Sequence, residues 1–163
     1  MKKIFCAVLM IFIFGAVNFS EAKTFSQNYS TWFGEVSPTA NYAEEVLKLV
    51  NIERRRVGLK SLKLSGSLNQ SAAIRAREIQ KKFSHTRPNG SKCFTAIKIS
   101  YRSAGENIAA GQISPKQVVE GWMNSKGHRE NILNRDFQYL GVGYYNNPNA
   151  DYEHYWVQLF TGY

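Results

Sequence analysis

Cysteine is scarce in this chain: Cys6 sits in an apolar N-terminal stretch, and past it only Cys93 remains. A disulfide scaffold is therefore excluded for anything downstream of that stretch, and stability has to come from an apolar core. Long apolar runs are missing too. The longest, Ile4 to Val17, is fourteen residues, whereas a spanning helix needs about 20. Preceded by Met1-Lys2-Lys3 and followed by Ser20-Glu21-Ala22, it reads as an export signal cleaved after Ala22. No stable membrane span is expected after cleavage, and Cys6 lies too near the N-terminus to attach a lipid. The remaining 141 residues suit one domain with one core. The short signal and the lack of disulfides suit a bacterial protein that is secreted or held at the envelope surface.

Acidic residues are in the minority. The chain has 21 Lys and Arg against 12 Asp and Glu, and 19 against 11 beyond Ala22. Such a surface attracts anions, and an exported protein meets wall polymers and lipid headgroups first. Solubility alone is the other explanation of the charge. No nucleic-acid reading motif accompanies it, so nucleic acid is not an expected partner. A monomer is expected.

Three divisions follow: a signal peptide at 1–22, a loose leader at 23–38 without periodicity, and a domain at 39–163. From Thr39 the pattern is helical, with Tyr42, Val46, Leu49, Val50 and Val57 on one stripe and Gly58 as the stop. Glu44 and Glu45 come early and Arg54-Arg55-Arg56 late, an order that suits the helix dipole on a solvated face. A second helix, Ser65 to Lys82, carries Leu68, Ala72, Ala76, Ile79 and Phe83 as its stripe. Arg75, Arg77, Glu78, Lys81 and Lys82 fill its other faces. Pro88-Asn89-Gly90 makes a turn, and Ser91 to Ser100 reads as a short helix with Phe94 and Ile97 inward. Cys93 is read as a small buried hydrophobe. Ser114-Pro115-Lys116-Gln117 opens a further helix with Val118 and Trp122 on its core face. Gly127 ends it, and His128 to Leu133 forms one or two more turns. Leu140 to Tyr145 and Tyr155 to Phe160 are strands joined through Asn146-Asn147-Pro148-Asn149 into a hairpin. Helices first and strands last argue for an α+β fold with an antiparallel sheet.

One stretch organises the motifs: Gly105-Glu106-Asn107-Ile108-Ala109, flanked by His85 in a segment running to Arg87-Pro88-Asn89-Gly90 and by His128 in Gly127-His128-Arg129. With Leu49-Val50-Asn51, Arg54, Gly58-Leu59, Trp122-Met123-Asn124-Ser125, Gly141-Val142-Gly143 and Trp156-Val157-Gln158, the chain resembles the CAP superfamily over about Glu44 to Phe160. These SCP-like extracellular proteins include the cysteine-rich secretory and pathogenesis-related groups. The resemblance implies an α-β-α sandwich with a short antiparallel sheet between helical layers. It also implies a cleft with two histidines and, in many eukaryotic members, two glutamates. His85, Glu106 and His128 match three of those positions; Ser125 stands at the fourth and carries no acid, which weakens any mechanism needing two carboxylates.

Two imidazoles and a carboxylate form the ligand set of an open zinc or other divalent-metal site. Such a centre lowers the pKa of bound water and can hydrolyse an amide. The alternative is that Glu106 anchors its loop while the histidines pair with it and with neighbouring backbone. Asn107 is expected to tie the loop to backbone, and Gln158 to reach the cleft floor or to bond across strands. Ser125 lies three residues before His128 and is not read as a catalytic dyad. His154 is expected to be exposed, and the tyrosines of the hairpin suit a carbohydrate or protein surface as well as strand propensity. The expected function is ligand binding (lipid, wall polymer or protein) through the His/Glu cleft, with or without a metal. The alternative is a metal-dependent hydrolase of peptide or cell-wall substrate, and the sequence does not decide whether the protein is an enzyme.

Overall fold

The computed structural model describes residues 38–163. The expected signal at 1–22 and the leader lie outside the described residues, except that Pro38 already opens the first helix. Helix α1, Pro38–Arg56, buries Ala43, Val46 and Val50. Four residues further along the same stripe comes Arg54, only 1% exposed, so the arginine triplet is not a solvated face. Its guanidinium donates to the carbonyls of Lys60, Ile132 and Asn134 at 2.7–2.8 Å. Arg55 and Arg56 do face solvent. Val57, expected on the stripe, is exposed because the helix has ended; Gly58 follows at φ +74°.

Strand β1, Lys63–Leu64, leads into helix α2, Gly66–Ile79. The Ser65 hydroxyl accepts from the Leu68 amide and caps it. Leu68, Ala72, Ala76 and Ile79 are buried as expected, but α2 stops at Ile79, which leaves Phe83 out on the surface. A 3₁₀ turn, Cys93–Ala96, replaces the longer helix expected at 91–100; Cys93 and Ile97 are buried. Strand β2, Ser103–Ala110, contains the central motif. Helix α3, Pro115–Asn124, starts as expected, with Ser114 Oγ accepting from the Gln117 amide and Gln117 Oε1 accepting from Ile113 N. It ends at the extended residue Ser125, and Gly127 lies inside helix α4, Lys126–Ile132, rather than closing α3. Strands β3, Tyr139–Asn146, and β4, His154–Gly162, form the expected antiparallel hairpin.

The sheet runs β1-β3-β4-β2. β2, β4 and β3 are antiparallel, and the two-residue β1 adds a parallel edge. On one face Leu140, Val142, Trp156 and Phe160 pack with Val46, Val50, Val118, Trp122 and Ile132 of α1, α3 and α4. On the other, Ile108, Val157 and Leu159 pack with Leu68, Ala72 and Ala76 of α2. The result is an α-β-α sandwich. Helix α2 lies so close to β3 that a Cβ at Gly141 or Gly143 would collide with the backbone of Leu68 or Ala72. Backbone cannot yield as a flexible side chain does, so Gly143→Ala is expected to cost about 3 kcal/mol in urea unfolding. An unchanged midpoint would mean that α2 does not sit where described.

Candidate functional site

β2 is an edge strand, and its alternation sends consecutive residues to opposite layers. Glu106 and Ile108 point toward α2, while Asn107 points toward α3 and α4. Glu106 then meets Arg75, which sits on the buried side of α2 and is 0% exposed. The guanidinium forks the carboxylate: Nε donates to Oε2 at 2.8 Å and Nη2 to Oε1 at 3.3 Å. Arg75 Nη1 also pairs with Glu78 at 2.7 Å, and Glu78 pairs with Arg87 at 2.6 Å. Alternating charges therefore run from the strand through α2 into the loop after it.

That chain of pairs places His85. Arg75 Nη2 donates to the Ser84 carbonyl at 2.7 Å, and Arg87 is tied to Glu78 two residues beyond His85. The His85 carbonyl accepts from the Cys93 amide at 3.0 Å. His85 Nδ1 lies 2.8 Å from Glu106 Oε1. A carboxylate only accepts, so Nδ1 carries a proton and Nε2, the other ring nitrogen, is turned away from the acid. The Glu106 side chain is 1% exposed and that of His85 57%, so the buried acid orients an open imidazole.

On the opposite layer Asn107 Nδ2 donates to the His128 carbonyl at 3.1 Å and to Gln158 Oε1 at 3.0 Å. Asn131 Nδ2 donates to Asn107 Oδ1 at 2.9 Å and to the Glu106 carbonyl at 3.3 Å. These amides pin α4, and His128 with it, against the same strand. Burial lowers the pKa of His128 below its ordinary value, and the nearby His85 ring, which disfavours a second positive charge, lowers it further. The neutral form of His128 is thereby favoured.

The histidines therefore reach β2 from both layers, His85 directly onto Glu106 and His128 through backbone. Gln158 makes the cross-strand bond rather than a cleft contact, and its Nε2 is buried without a partner. The Ser125 side chain caps neither helix. His154, expected to be exposed, is half-buried and lies 2.7 Å from the Tyr144 hydroxyl, on the hairpin rather than at this site. Cys93 joins the group unexpectedly: ligand atoms of His85, Cys93 and Glu106 lie within 4.8 Å of one another. Burial pushes the Cys93 thiol up to about 12, with the neighbouring Glu106 charge adding to it, so it stays protonated. Sequence reading missed Arg75. The available signal was its place on the α2 stripe, three residues after Ala72, where a solvated arginine does not belong.

Removing the cation from a buried pair leaves an uncompensated carboxylate and typically costs about 3–5 kcal/mol. Arg75→Met is expected to lose that much stability in urea titration at pH 7. Arg75→Met with Glu106→Leu is expected to cost less than Arg75→Met alone. Additive losses would contradict the pairing.

Comparison with known proteins gives the family. The family model described as "Cysteine-rich secretory protein family", CAP, matches residues 47–160. An uncharacterized Bacillus subtilis protein, YkwD, is 38% identical over 148 residues, which covers 88% of this chain and 56% of the relative. The chain thus spans about half the length of that relative. The crystal structure of a Bacillus anthracis extracellular protein containing an SCP domain is similar with a TM-score of 0.68 and 29% identity, over 80% of this chain and 45% of that one. The structure of NaASP2 with Zn2+ shares the fold alone, with a TM-score of 0.59 and 16% identity over 77% of this chain and 82% of that one. With two layers of helices around the sheet, the Gly105-Glu106-Asn107 edge strand and a family match over residues 47–160, this chain belongs to the CAP family.

Proposed function

We propose that the protein is a binding module, exported or held at the envelope surface, whose site is the cleft along β2 between His85 and His128. A divalent cation is the first ligand to test. The observation that carries this reading is the locked orientation of His85: Glu106 holds Nδ1 at 2.8 Å, which leaves Nε2 directed to solvent. A carboxylate behind an outward imidazole is the arrangement that fixes the tautomer of metal-binding histidines and raises their basicity.

The donor set fits a cation, with one change of roles from the sequence expectation. His85 and His128 would hold the ion, although the ligand atoms that already lie within 4.8 Å of one another are those of His85, Cys93 and Glu106, without His128. Glu106 would position His85 rather than ligate. Its carboxylate is already engaged by the Arg75 fork, and a guanidinium repels a nearby dication by several kcal/mol (about 4 kcal/mol per unit charge at 4 Å with an effective dielectric constant of 20). Cys93, protonated, is a poor ligand until it loses that proton. A bound ion would supply Lewis acidity and a positive anchor for an anionic group.

Binding is favoured over hydrolysis because a hydrolase needs a free general base in reach of its water. Glu106 already accepts from Arg75 and His85, and Ser125 contributes no second carboxylate. The Bacillus anthracis relative described as extracellular supports the location. Lipid, wall polymer and protein remain the classes of ligand to screen.

Calorimetric zinc titration of the protein at pH 7.5 is expected to show one site that His85→Ala and His128→Ala each abolish. Glu106→Gln is expected to keep the site but weaken it by about 10–100-fold. Affinity should fall on acidification, because protons compete for the same nitrogens. Zinc binding that survives both alanine substitutions would overturn the proposal.

A further inference from the structure

At the β1 edge of the sheet, the edge opposite β2, lies a hollow of about 610 Å³ between the end of α1, β1 and the segment leading into β3. Arg54, Lys60, Lys63 and Arg135 line it, with Leu59 and Tyr139 beside them, and no carboxylate is among its lining residues. Among the described residues none of these four cations forms an ion pair.

Arg54 makes the hollow unusual. It is as buried as Arg75, yet where Arg75 has Glu106 and Glu78, Arg54 has only neutral partners. Its contacts are the carbonyls of Lys60, Ile132 and Asn134, and Phe137 at a longer 3.4 Å. Carbonyl dipoles satisfy its N–H groups but leave the net charge. A buried cation without an anion raises the potential of the space beside it, and low-dielectric walls keep that field from being screened. Lys60, Lys63 and Arg135 are exposed around it and free to move onto a ligand.

We infer that this hollow is an anion site for a phosphate-bearing group, distinct from the β2 cleft. Phosphate fits better than a lone carboxylate: it carries more charge and more acceptor oxygens, which suits a surround of several separate cations. The volume exceeds a single phosphate group, and Leu59 and Tyr139 add apolar surface for whatever the phosphate is attached to. The phosphate can belong to a soluble molecule or to a lipid headgroup, and two probes separate these sources.

The test uses inorganic pyrophosphate in calorimetry, and sedimentation with phosphatidylcholine vesicles containing phosphatidylglycerol, both in 50 mM salt. Saturable pyrophosphate binding should weaken about tenfold or more in Lys63→Gln/Arg135→Gln, since each lost side chain removes a charged hydrogen bond. A control with the same net charge, Lys82→Gln/Lys98→Gln, on another part of the surface, should bind as wild type. Vesicle binding without pyrophosphate binding, lost in the same variant and kept in the control, supports the site with a lipid headgroup as its source. All replaced side chains are exposed, so circular dichroism should be unchanged. Absence of binding by both probes, or equal weakening in the control, overturns the inference, the latter by reducing it to net charge.

Discussion

The ion pair between Arg75 and Glu106 is the interaction on which the site depends. Both side chains are almost wholly out of water, and taking two charges there is costly unless geometry and further hydrogen bonds compensate. Here they do: the fork is bidentate, and the remaining donors of Arg75 reach Glu78 and the Ser84 carbonyl. Such a pair adds little net stability compared with a packed apolar substitute, but it is intolerant of displacement. Helix α2, the edge strand and the loop bearing His85 are thereby held to one relative arrangement. A polar cluster in this position fixes geometry more than it adds stability, and the direction of one imidazole is among the things it sets.

Two buried arginines divide the structural labour. Arg75 joins the α2 layer to the sheet through charge. Arg54 joins α1 to the end of α4 and the segment after it through the carbonyls of Ile132, Asn134 and Phe137, and holds its own following loop through that of Lys60. Asn107, Asn131 and Gln158 complete the arrangement with neutral amides, so α4 rests on the strand without further buried charge. The two faces of β2 thus differ in chemistry: ionic toward His85, amide toward His128. That difference follows from strand alternation acting on adjacent residues, Glu106 and Asn107.

Much of the fold was legible because apolar spacing is a local signal. Val46 and Val50, then Leu68, Ala72, Ala76 and Ile79, marked two helices, and the Ser114 cap marked a third. The β3–β4 hairpin followed from its aromatic and β-branched residues. β2 was not recognised as a strand, since both its faces are buried and Gly105-Glu106-Asn107 shows no alternation of polarity. β1 has only two residues and no pattern to read. Gly127 misled because glycine, common after helices, here sits inside one, and the break falls at Ser125. The site was half legible: motif order singled out His85, Glu106 and His128, but Arg75 lies 31 residues from Glu106 and looked like a surface charge. Arg54, at the spacing of Val46 and Val50, carried the same overlooked sign. An arginine at a stripe position is the pattern to look for.

The claim that a buried carboxylate sets the direction of His85 is most directly tested by long-range ¹H–¹⁵N NMR of the imidazoles at pH 7.5. The account predicts that the neutral form of His85 holds its proton on Nδ1, and that Glu106→Gln abolishes this preference while the fold persists. A His85 protonated at Nε2, or averaging freely between tautomers in the wild-type protein, would contradict it.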